Sequence, residues 1–120
     1  MNLYNFFLIL FNTFILVTGQ FLWKLGLEKE PVSFNSITSI IKLMFSPLIF
    51  SGILSYGLAT VLWLFILTKV QISIAYPVQS IAYIIAVFGA YFIFGEPLTL
   101  YKIFGCMLIM AGVSIIALSN

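Results

Sequence analysis

The sequence predicts an all-α integral membrane protein in which one domain, residues 1–120, forms a bundle of four transmembrane helices. The first observation is composition, since 63% of the residues are apolar, 7% are charged and the mean hydropathy is +1.24. Soluble domains are much less apolar than this. The second is that the apolar residues form four long runs separated by the charged residues. A hydrocarbon core of about 30 Å takes roughly 20 residues of helix, so 120 residues accommodate four crossings.

The first two spans are predicted over Leu3–Trp23 and Pro47–Thr68. Leu3–Trp23 contains no charged residue, and it lacks the basic start and the cleavage site of a signal peptide, which is the alternative interpretation. Between the two spans, Pro31 breaks the helical pattern, and the apolar residues after it recur at helical spacing. These residues are Phe34, Ile37, Ile40, Ile41 and Met44. They predict a short helix that lies in the membrane interface.

The third and fourth spans are predicted over Ser73–Phe94 and Leu98–Leu118. Gly95, Glu96 and Pro97 interrupt the chain between them, because neither glycine nor proline continues a helix well. The link between the second and third spans is only a few residues long. It therefore predicts an antiparallel helical hairpin.

The lysines mark the ends of the spans and predict the orientation. With an even number of crossings both ends of the chain lie on one side of the membrane, and the first and third loops lie on the other. Lys69 falls on the side of the chain ends, and the other lysines fall on the side of the loops. These are Lys24, Lys29, Lys42 and Lys102. The positive-inside rule places the two loops in the cytoplasm, although the small bias leaves insertion in both orientations open.

The inventory of reactive side chains argues against an enzyme, a metal site and a bound cofactor. The sequence has no His, Asp or Arg and only one cysteine, Cys106, which we interpret as a small packing residue. It therefore offers no metal-ligand cluster, no base beside a nucleophile and no disulfide framework. The acidic residues Glu28 and Glu30 are predicted in the first loop. Glu96 is predicted beside the start of the fourth span, where its carboxylate would accept backbone donors.

Polar side chains within the predicted spans share one face of each helix. Amides are costly in hydrocarbon unless they are paired, so these faces are expected to look into the bundle. We predict that they line a substrate-binding cavity, with one tryptophan contributed by the second span. The predicted substrate-binding residues are Asn12, Gln20, Trp63, Tyr76, Gln79 and Tyr83. The alternative is that the amides bond one helix to another and that Trp63 only packs.

Small residues predict where helices approach one another closely. Ala82, Ala86 and Ala90 form a stripe on the third span, which is typical of a packing face. Gly105 and Gly112 are seven residues apart and share one face of the fourth span. That glycine face suits a dimer interface or packing within the chain.

Four segments, in this order and spacing, resemble the drug/metabolite transporter superfamily. They are Val17–Lys24, Ser73–Ser80, Gly95–Leu98 and Ile103–Val113. Within them Gly19, Pro77, Glu96 and Pro97 match the superfamily's motif residues. The last segment is similar to the final helix of small multidrug resistance proteins, and the resemblance covers nearly the whole chain.

Leu16 separates this chain from the small multidrug exporters. Those exporters carry a membrane-embedded glutamate three residues before the position that Gly19 matches, and its carboxylate binds protons and cationic substrates in turn. Leucine cannot do this, and no other acid is predicted inside a span. Gln79 also replaces a tryptophan of the exporters. The resemblance therefore implies a function other than proton-coupled drug export.

The sequence is more similar to the small four-helix subunits of flippases for aminoarabinose carried on undecaprenyl phosphate. The matching elements are Gly19-Gln20, Trp63-Leu64, Ile74–Pro77 and Glu96-Pro97. This resemblance implies a flippase or flippase subunit of the bacterial cytoplasmic (inner) membrane, which moves a polyprenyl-phosphate-linked sugar or a related lipid. Neutral amides, hydroxyls and tyrosines suit a sugar.

Four helices are too few to enclose such a path, so we expect a homodimer or a heterodimer with a similar small membrane subunit. Lys24, Lys69 and Lys102 are the candidates for binding the headgroup phosphate, and no nucleic acid is expected as a partner. Two alternatives remain open. One is an accessory or scaffold subunit of a larger membrane complex, and the other is a small-multidrug-resistance-like transporter of a small metabolite or cation.

Overall fold

A computed structural model describes residues 2–29 and 34–119, and helices account for most of them. The helices are α1 (Leu3–Lys29), α2 (Ile37–Met44), α3 (Pro47–Leu67), α4 (Ile72–Gln79), α5 (Ile81–Phe94) and α6 (Leu100–Leu118). Four segments are long and apolar enough to cross a membrane, namely α1, α3, α4 with α5, and α6. The predicted all-α bundle of four spans is therefore confirmed. Pro31 and Glu30 lie outside the described residues.

The first helix runs beyond its predicted end at Trp23 and continues to Lys29. At 1.5 Å per residue its 27 residues measure about 40 Å, which exceeds a hydrocarbon core of about 30 Å. Gly26 is buried near the Ile49 side chain of α3, so tertiary packing supports the extra turn. The prediction that Glu28 lies in a loop is wrong, because Glu28 belongs to the last turn of α1.

The short helix predicted after Pro31 is present as α2 and begins where Ser36 caps it. The Ser36 hydroxyl oxygen accepts a hydrogen bond from the Ser39 backbone N–H at 3.2 Å, as helix-capping serines do. Leu43 faces the protein, whereas Ile37 and Ile41 are exposed. This apolar outer side suits the interfacial position that the spacing predicts.

The closest helix pair is α1 and α3, and two glycines make the close approach possible. A Cβ atom on Gly19 would lie 3.0 Å from the Gly52 carbonyl oxygen, and one on Gly52 would lie 2.7 Å from the Gly19 carbonyl oxygen. Trp23 fills the space beside Gly52, and its indole N–H donates to the Ile49 carbonyl at 3.1 Å. Small residues thus allow the two backbones to meet, as is common between membrane helices.

The third span is divided at Ser80 into α4 and α5, whereas the sequence predicts one continuous helix. Pro77 has no N–H to bond to the preceding turn. The Ser80 backbone N–H donates to Pro77 at 3.0 Å, and the Tyr83 backbone N–H donates to Ser80 at 3.0 Å. Each bond reaches back three residues, which is the tighter 3₁₀ pattern. The Ser80 hydroxyl also donates to the Pro77 carbonyl.

The link between α5 and α6 turns at Gly95, whose φ of 69° is the left-handed conformation that glycine adopts readily. The Glu96 backbone N–H donates to the Ala90 carbonyl at 3.2 Å, which closes the end of α5. The sequence suggests that Glu96 supplies the acceptor at the start of the fourth span. Thr99 does so instead, since its hydroxyl oxygen accepts the Lys102 backbone N–H at 3.2 Å. The fourth span therefore begins at Leu100 rather than at Leu98.

The apolar core lies where α1, α3, α4 and α6 meet, and its buried members include Ile9, Ile66, Val78 and Val113. It fixes α1 against α3 and the Pro77 half of the third span. Gly105 and Gly112 stay outside this core. A Cβ atom at either glycine would meet nothing within 4 Å, so the alternative that they pack within the chain is not supported.

A polar cavity among the membrane-spanning helices

A cavity of about 380 Å³ lies among α1, α3 and the divided third span. Helix α1 contributes Asn12, Leu16 and Gln20 to its wall. The other lining residues are Tyr56, Ala59, Thr60, Trp63, Tyr76, Gln79, Ser80, Ala82, Tyr83 and Ala86. All six residues of the predicted substrate-binding set line this cavity. Its volume lies in the range of about 300–1,000 Å³ that small-molecule sites occupy.

Asn12 is the most deeply placed polar group of the cavity. Its side chain is 1% exposed, and neither its amide nitrogen nor its amide oxygen has a hydrogen-bond partner among the described residues. The neighbouring buried Thr13 is different, because its hydroxyl donates to the Ile9 carbonyl at 2.7 Å. A buried polar group without a partner costs about 1–3 kcal/mol. Asn12 therefore does not form the interhelical hydrogen bond of the alternative interpretation.

Aromatic rings form two sides of the cavity. The Trp63 and Tyr76 rings meet edge to face, with centroids 6.5 Å apart and planes at 71°. Tyr56 stacks on Trp23 at a centroid distance of 5.4 Å, and the Trp23 hydrogen bond to Ile49 holds this pair in place. Ring faces and edges of this kind give apolar contact to a ligand while the phenol and indole groups keep hydrogen-bonding capacity.

The break in the third span brings polar groups to the cavity in the middle of the bundle. Gln79 and Ser80 lie at the end of α4, and both line the cavity. Irregular backbone at membrane depth is tolerated where it is buried in protein or lines a hydrated cavity. Pro77 takes part in this turn through its carbonyl, which accepts both the Ser80 backbone N–H and the Ser80 hydroxyl.

Among the residues that the structure describes, none that lines this cavity is charged. Leu16 occupies the position where the exporters carry a glutamate, and it forms part of the wall. The cavity can therefore donate and accept hydrogen bonds and cover an apolar ring, but it offers no charge to bind a cation or a phosphate.

The three lysines predicted to bind phosphate are not brought into the cavity. Lys24 is exposed on α1, and Lys69 follows α3 with its ammonium 5.3 Å from the centroid of the Phe65 ring. The Lys102 ammonium donates to the Pro97 carbonyl at 2.7 Å. Because successive spans run in opposite directions, Lys24 and Lys102 lie towards one end of the bundle and Lys69 towards the other.

The predicted site omits Tyr56, Thr60 and Ser80, which also line the cavity. The Thr60 hydroxyl bonds to its own helix, donating to the Tyr56 carbonyl at 2.9 Å, so a threonine by itself does not indicate a cavity position. Such a residue is compatible with either lipid or a cavity. The spacing of Tyr56, Thr60 and Trp63 at three to four residues offers a signal, since it places them on one helical face. In the predicted alanine stripe, Ala82 and Ala86 line the cavity while Ala90 lies outside its wall.

Comparison with curated proteins finds bacterial flippase subunits. A Pseudomonas fluorescens protein named "Probable 4-amino-4-deoxy-L-arabinose-phosphoundecaprenol flippase subunit ArnE" is 31% identical over 71 residues, which cover 59% of this chain and 62% of that protein. The Enterobacter protein of the same name is 42% identical over 57 residues, 48% of this chain and 53% of that protein. A Serratia proteamaculans protein with the same name except for subunit ArnF is 33% identical over 109 residues, 85% of this chain and 84% of that protein.

These alignments differ in extent. The aligned part of this chain spans about three fifths of the length of the first ArnE relatives. No solved structure matches the chain. The family assignment rests on a longer match, because residues 2–118 match the EamA-like transporter family. Together with the four membrane-length helices, this match shows that the chain is a multi-pass inner-membrane protein and belongs to the EamA-like transporter family.

Proposed function

We propose that this protein is a flippase, or one subunit of a flippase, that moves a polyprenyl-phosphate-linked sugar across the bacterial inner membrane. The observation that carries the proposal is the uncharged, polar and aromatic cavity of about 380 Å³ inside the membrane-spanning bundle. The names of the ArnE and ArnF relatives supply the class of substrate. The proposal is one of transport rather than catalysis.

The chemistry of the cavity suits the sugar part of such a lipid. A lipid tail can stay in the bilayer during transfer, whereas the sugar loses its water and needs replacement hydrogen bonds. Asn12, Gln20 and Gln79 offer amide donors and acceptors along α1 and the third span. The polar cavity also argues against an accessory subunit, whose interior would be dry with its polar groups paired to one another.

The phosphate is bound separately in this proposal, at the ends of the bundle where Lys24, Lys69 and Lys102 lie. An ammonium at the membrane boundary attracts an anionic headgroup, and it keeps its own hydration there. Lys102 would exchange its bond to the Pro97 carbonyl for a phosphate oxygen. The phosphate would then remain near the surface while the sugar enters the cavity.

The working unit we propose contains two subunits. Tyr76 and Tyr83 line the cavity, yet they are 66% and 65% exposed, so one chain leaves this polar wall open. A second copy, or a similar small subunit, would close the wall and keep lipid tails out. The ArnE and ArnF names of the relatives favour two related subunits, and a homodimer is the other form of this proposal.

Reconstitution tests the function directly. Vesicles would contain a polyprenyl phosphate that carries glucose, and membrane-impermeant periodate would oxidise only the sugar exposed on the outer leaflet. With the purified chain present, we expect the oxidised fraction to rise from the outer leaflet's share to nearly the whole pool. Vesicles with the chain heat-denatured before reconstitution serve as the control. If the oxidised fraction does not exceed that of the control, with or without a co-expressed related subunit, the proposal is refuted.

A further inference from the structure

We propose, on the basis of the transport function above, that Asn12 recognises two neighbouring hydroxyl groups of the sugar. Its amide would bind them while the sugar ring packs against Trp63 and Tyr76. The structure points to this role because Asn12 is a buried, unpartnered amide in the wall of the cavity. Asn12 is thereby a specificity-determining residue, and the group that it recognises in the cavity is a hydroxylated ring.

The amide of Asn12 has unsatisfied hydrogen-bonding capacity. Both amide atoms lack partners among the described residues, although buried polar side chains are ordinarily paired. Thr13, its neighbour and the other buried polar residue of α1, pairs with its own helix, so burial at this depth does not by itself leave a polar side chain unpaired. In this proposal a sugar in the cavity completes these hydrogen bonds, and the Asn12 side chain turns towards it, since both amide atoms are covered in the free protein.

A pair of sugar hydroxyls matches the hydrogen-bonding groups of the Asn12 amide. A carboxamide presents a donor and an acceptor side by side in one plane, and each sugar hydroxyl both donates and accepts. Two adjacent hydroxyls can therefore bind the nitrogen and the oxygen of Asn12 together. A phosphate or an ammonium matches the amide less well, because a phosphate only accepts and an ammonium only donates.

The aromatic residues in the same cavity as the Asn12 amide also suit a sugar ring. Trp63 and Tyr76 lie in the same cavity, and their edge-to-face arrangement presents ring surface to a neighbouring ligand. The C–H groups on the face of a sugar ring are apolar and pack on aromatic surfaces. No charged side chain lines the cavity to compensate a charged ligand group. Amide and ring surface together suit a hydroxylated ring.

Binding in lipid nanodiscs tests this role with three probes. The first is a polyprenyl phosphate that carries glucose, the second lacks one ring hydroxyl, and the third is the unglycosylated polyprenyl phosphate. Quenching of the tryptophan fluorescence reports binding, since Trp63 is one of the two tryptophans of the chain. For the unaltered protein we expect the glucose lipid to bind tightest and the bare lipid weakest.

Asn12→Leu should lower the affinity for the glucose lipid by roughly tenfold to a hundredfold, as expected for two lost hydrogen bonds. It should also remove the preference for glucose over the deoxy sugar. Asn5→Leu is the matched control, because Asn5 lies two turns earlier on the same face of α1 and outside the cavity wall. That control should keep the preference. Asn12→Ala provides a second variant with less bulk, so a loss caused by the leucine side chain can be recognised.

Several outcomes overturn the inference. If Asn12→Leu and Asn12→Ala keep the preference for the glucose lipid, water alone satisfies the amide and Asn12 does not read hydroxyls, while the proposed function stands. If both Asn12 variants and Asn5→Leu lose the preference equally, the effect is not specific to this site. If the unaltered protein does not distinguish the glucose lipid from the bare lipid and does not translocate it, the proposed function itself fails.

Discussion

Asn12 is a buried residue that opposes folding and that we propose serves the function. Its side chain is buried in a bundle of apolar helices without a partner, so it destabilises the free protein. Sites that violate a folding rule of this kind are often the functional ones. The same physical argument predicts that removing the amide makes the protein more stable and less active.

Asn12→Leu should therefore raise the free energy of unfolding by about 1–3 kcal/mol, because the uncompensated amide is removed. The adjoining cavity gives the longer side chain room. Thermal unfolding in detergent, followed by circular dichroism, measures the change. Asn5→Leu, outside the cavity wall, should shift the midpoint less. A lower midpoint for Asn12→Leu would show that the amide is paired in the free protein.

Gly52 lies at the contact between α1 and α3, and its substitution tests how closely the two helices approach. A Cβ atom at Gly52 would lie 2.5 Å from the Trp23 ring and 2.7 Å from the Gly19 carbonyl, so Gly52→Ala must push the helices apart. We expect a loss of about 1–3 kcal/mol or more. Gly57→Ala is the control, since a Cβ there meets nothing within 4 Å. If Gly52→Ala and Gly57→Ala change the thermal midpoint equally, α1 and α3 do not approach closely at Gly52.

At the scale of secondary-structure elements, the divided third span is the feature that shapes the cavity. The turn at Ser80 closes on the Pro77 carbonyl, which accepts the Ser80 backbone N–H at 3.0 Å, and Pro77 also lacks the N–H that would bond to the preceding turn of α4. A continuous helix would change the direction in which Gln79 and Ser80 face the cavity. We therefore propose that the site requires this discontinuity.

Pro77→Ala should make the third span more regular and more stable, since proline inside a helix costs about 3 kcal/mol. We expect a higher thermal midpoint together with slower translocation in the periodate assay. Val78→Ala, a buried neighbour outside the cavity wall, tests whether any change in α4 has this result. If the Pro77→Ala protein is more stable but translocates the lipid at an unchanged rate, the break in the third span is not needed for transport.

The spans and the polar faces could be predicted from the sequence because the membrane simplifies the physics. Apolar runs must be helices that satisfy their own backbone, and amides such as Gln79 must avoid lipid. The end of α1 could not be predicted in the same way. Its continuation to Lys29 depends on packing at Gly26, which is a contact between distant segments. The break at Ser80 is signalled by Pro77, but membrane helices also tolerate proline without dividing.

At the scale of the whole molecule, one chain has surfaces that fit a second chain better than lipid. The polar wall of the cavity is open at Tyr76 and Tyr83. On α6, a Cβ atom added at Gly105 or Gly112 would meet nothing within 4 Å among the described residues, so this face has room for a second chain. Small residues of this kind allow close helix pairing, so α6 is the proposed contact between subunits.

Gly112→Leu should weaken the association of subunits, because the added side chain separates the paired helices. Light scattering in detergent should give at least twice the chain mass of 13.5 kDa for the unaltered protein and a lower mass for the variant. Ser114→Leu is the control, since Ser114 lies on the opposite side of α6 and bonds only to its own helix. A single-chain mass for the unaltered protein would refute the homodimer and leave the heterodimer with a related subunit as the form of the proposal.

Among the described residues, no carboxylate lines the cavity, and this bears on how transport could be coupled to a proton gradient. Leu16 lines the cavity where an exporter would carry its proton-binding glutamate, and Glu28 lies in the last turn of α1, beyond the length that a bilayer core requires. Glu96 follows α5 at the boundary of the bundle and is outside the cavity wall. Without an acid in the cavity, protons and cationic substrates have no common site for which to compete.

We therefore expect the protein to give cells no protection against quaternary ammonium compounds, and to release no protons when such a compound is added to the detergent-solubilised protein. A pH indicator in weakly buffered solution measures the release. Leu16→Glu is the informative variant, because it places a carboxylate in the cavity wall and should create cation-dependent proton release. Proton release from the unaltered protein that disappears in Glu96→Gln would identify Glu96 as the coupling residue. That result would replace the sugar lipid with a cation as the substrate.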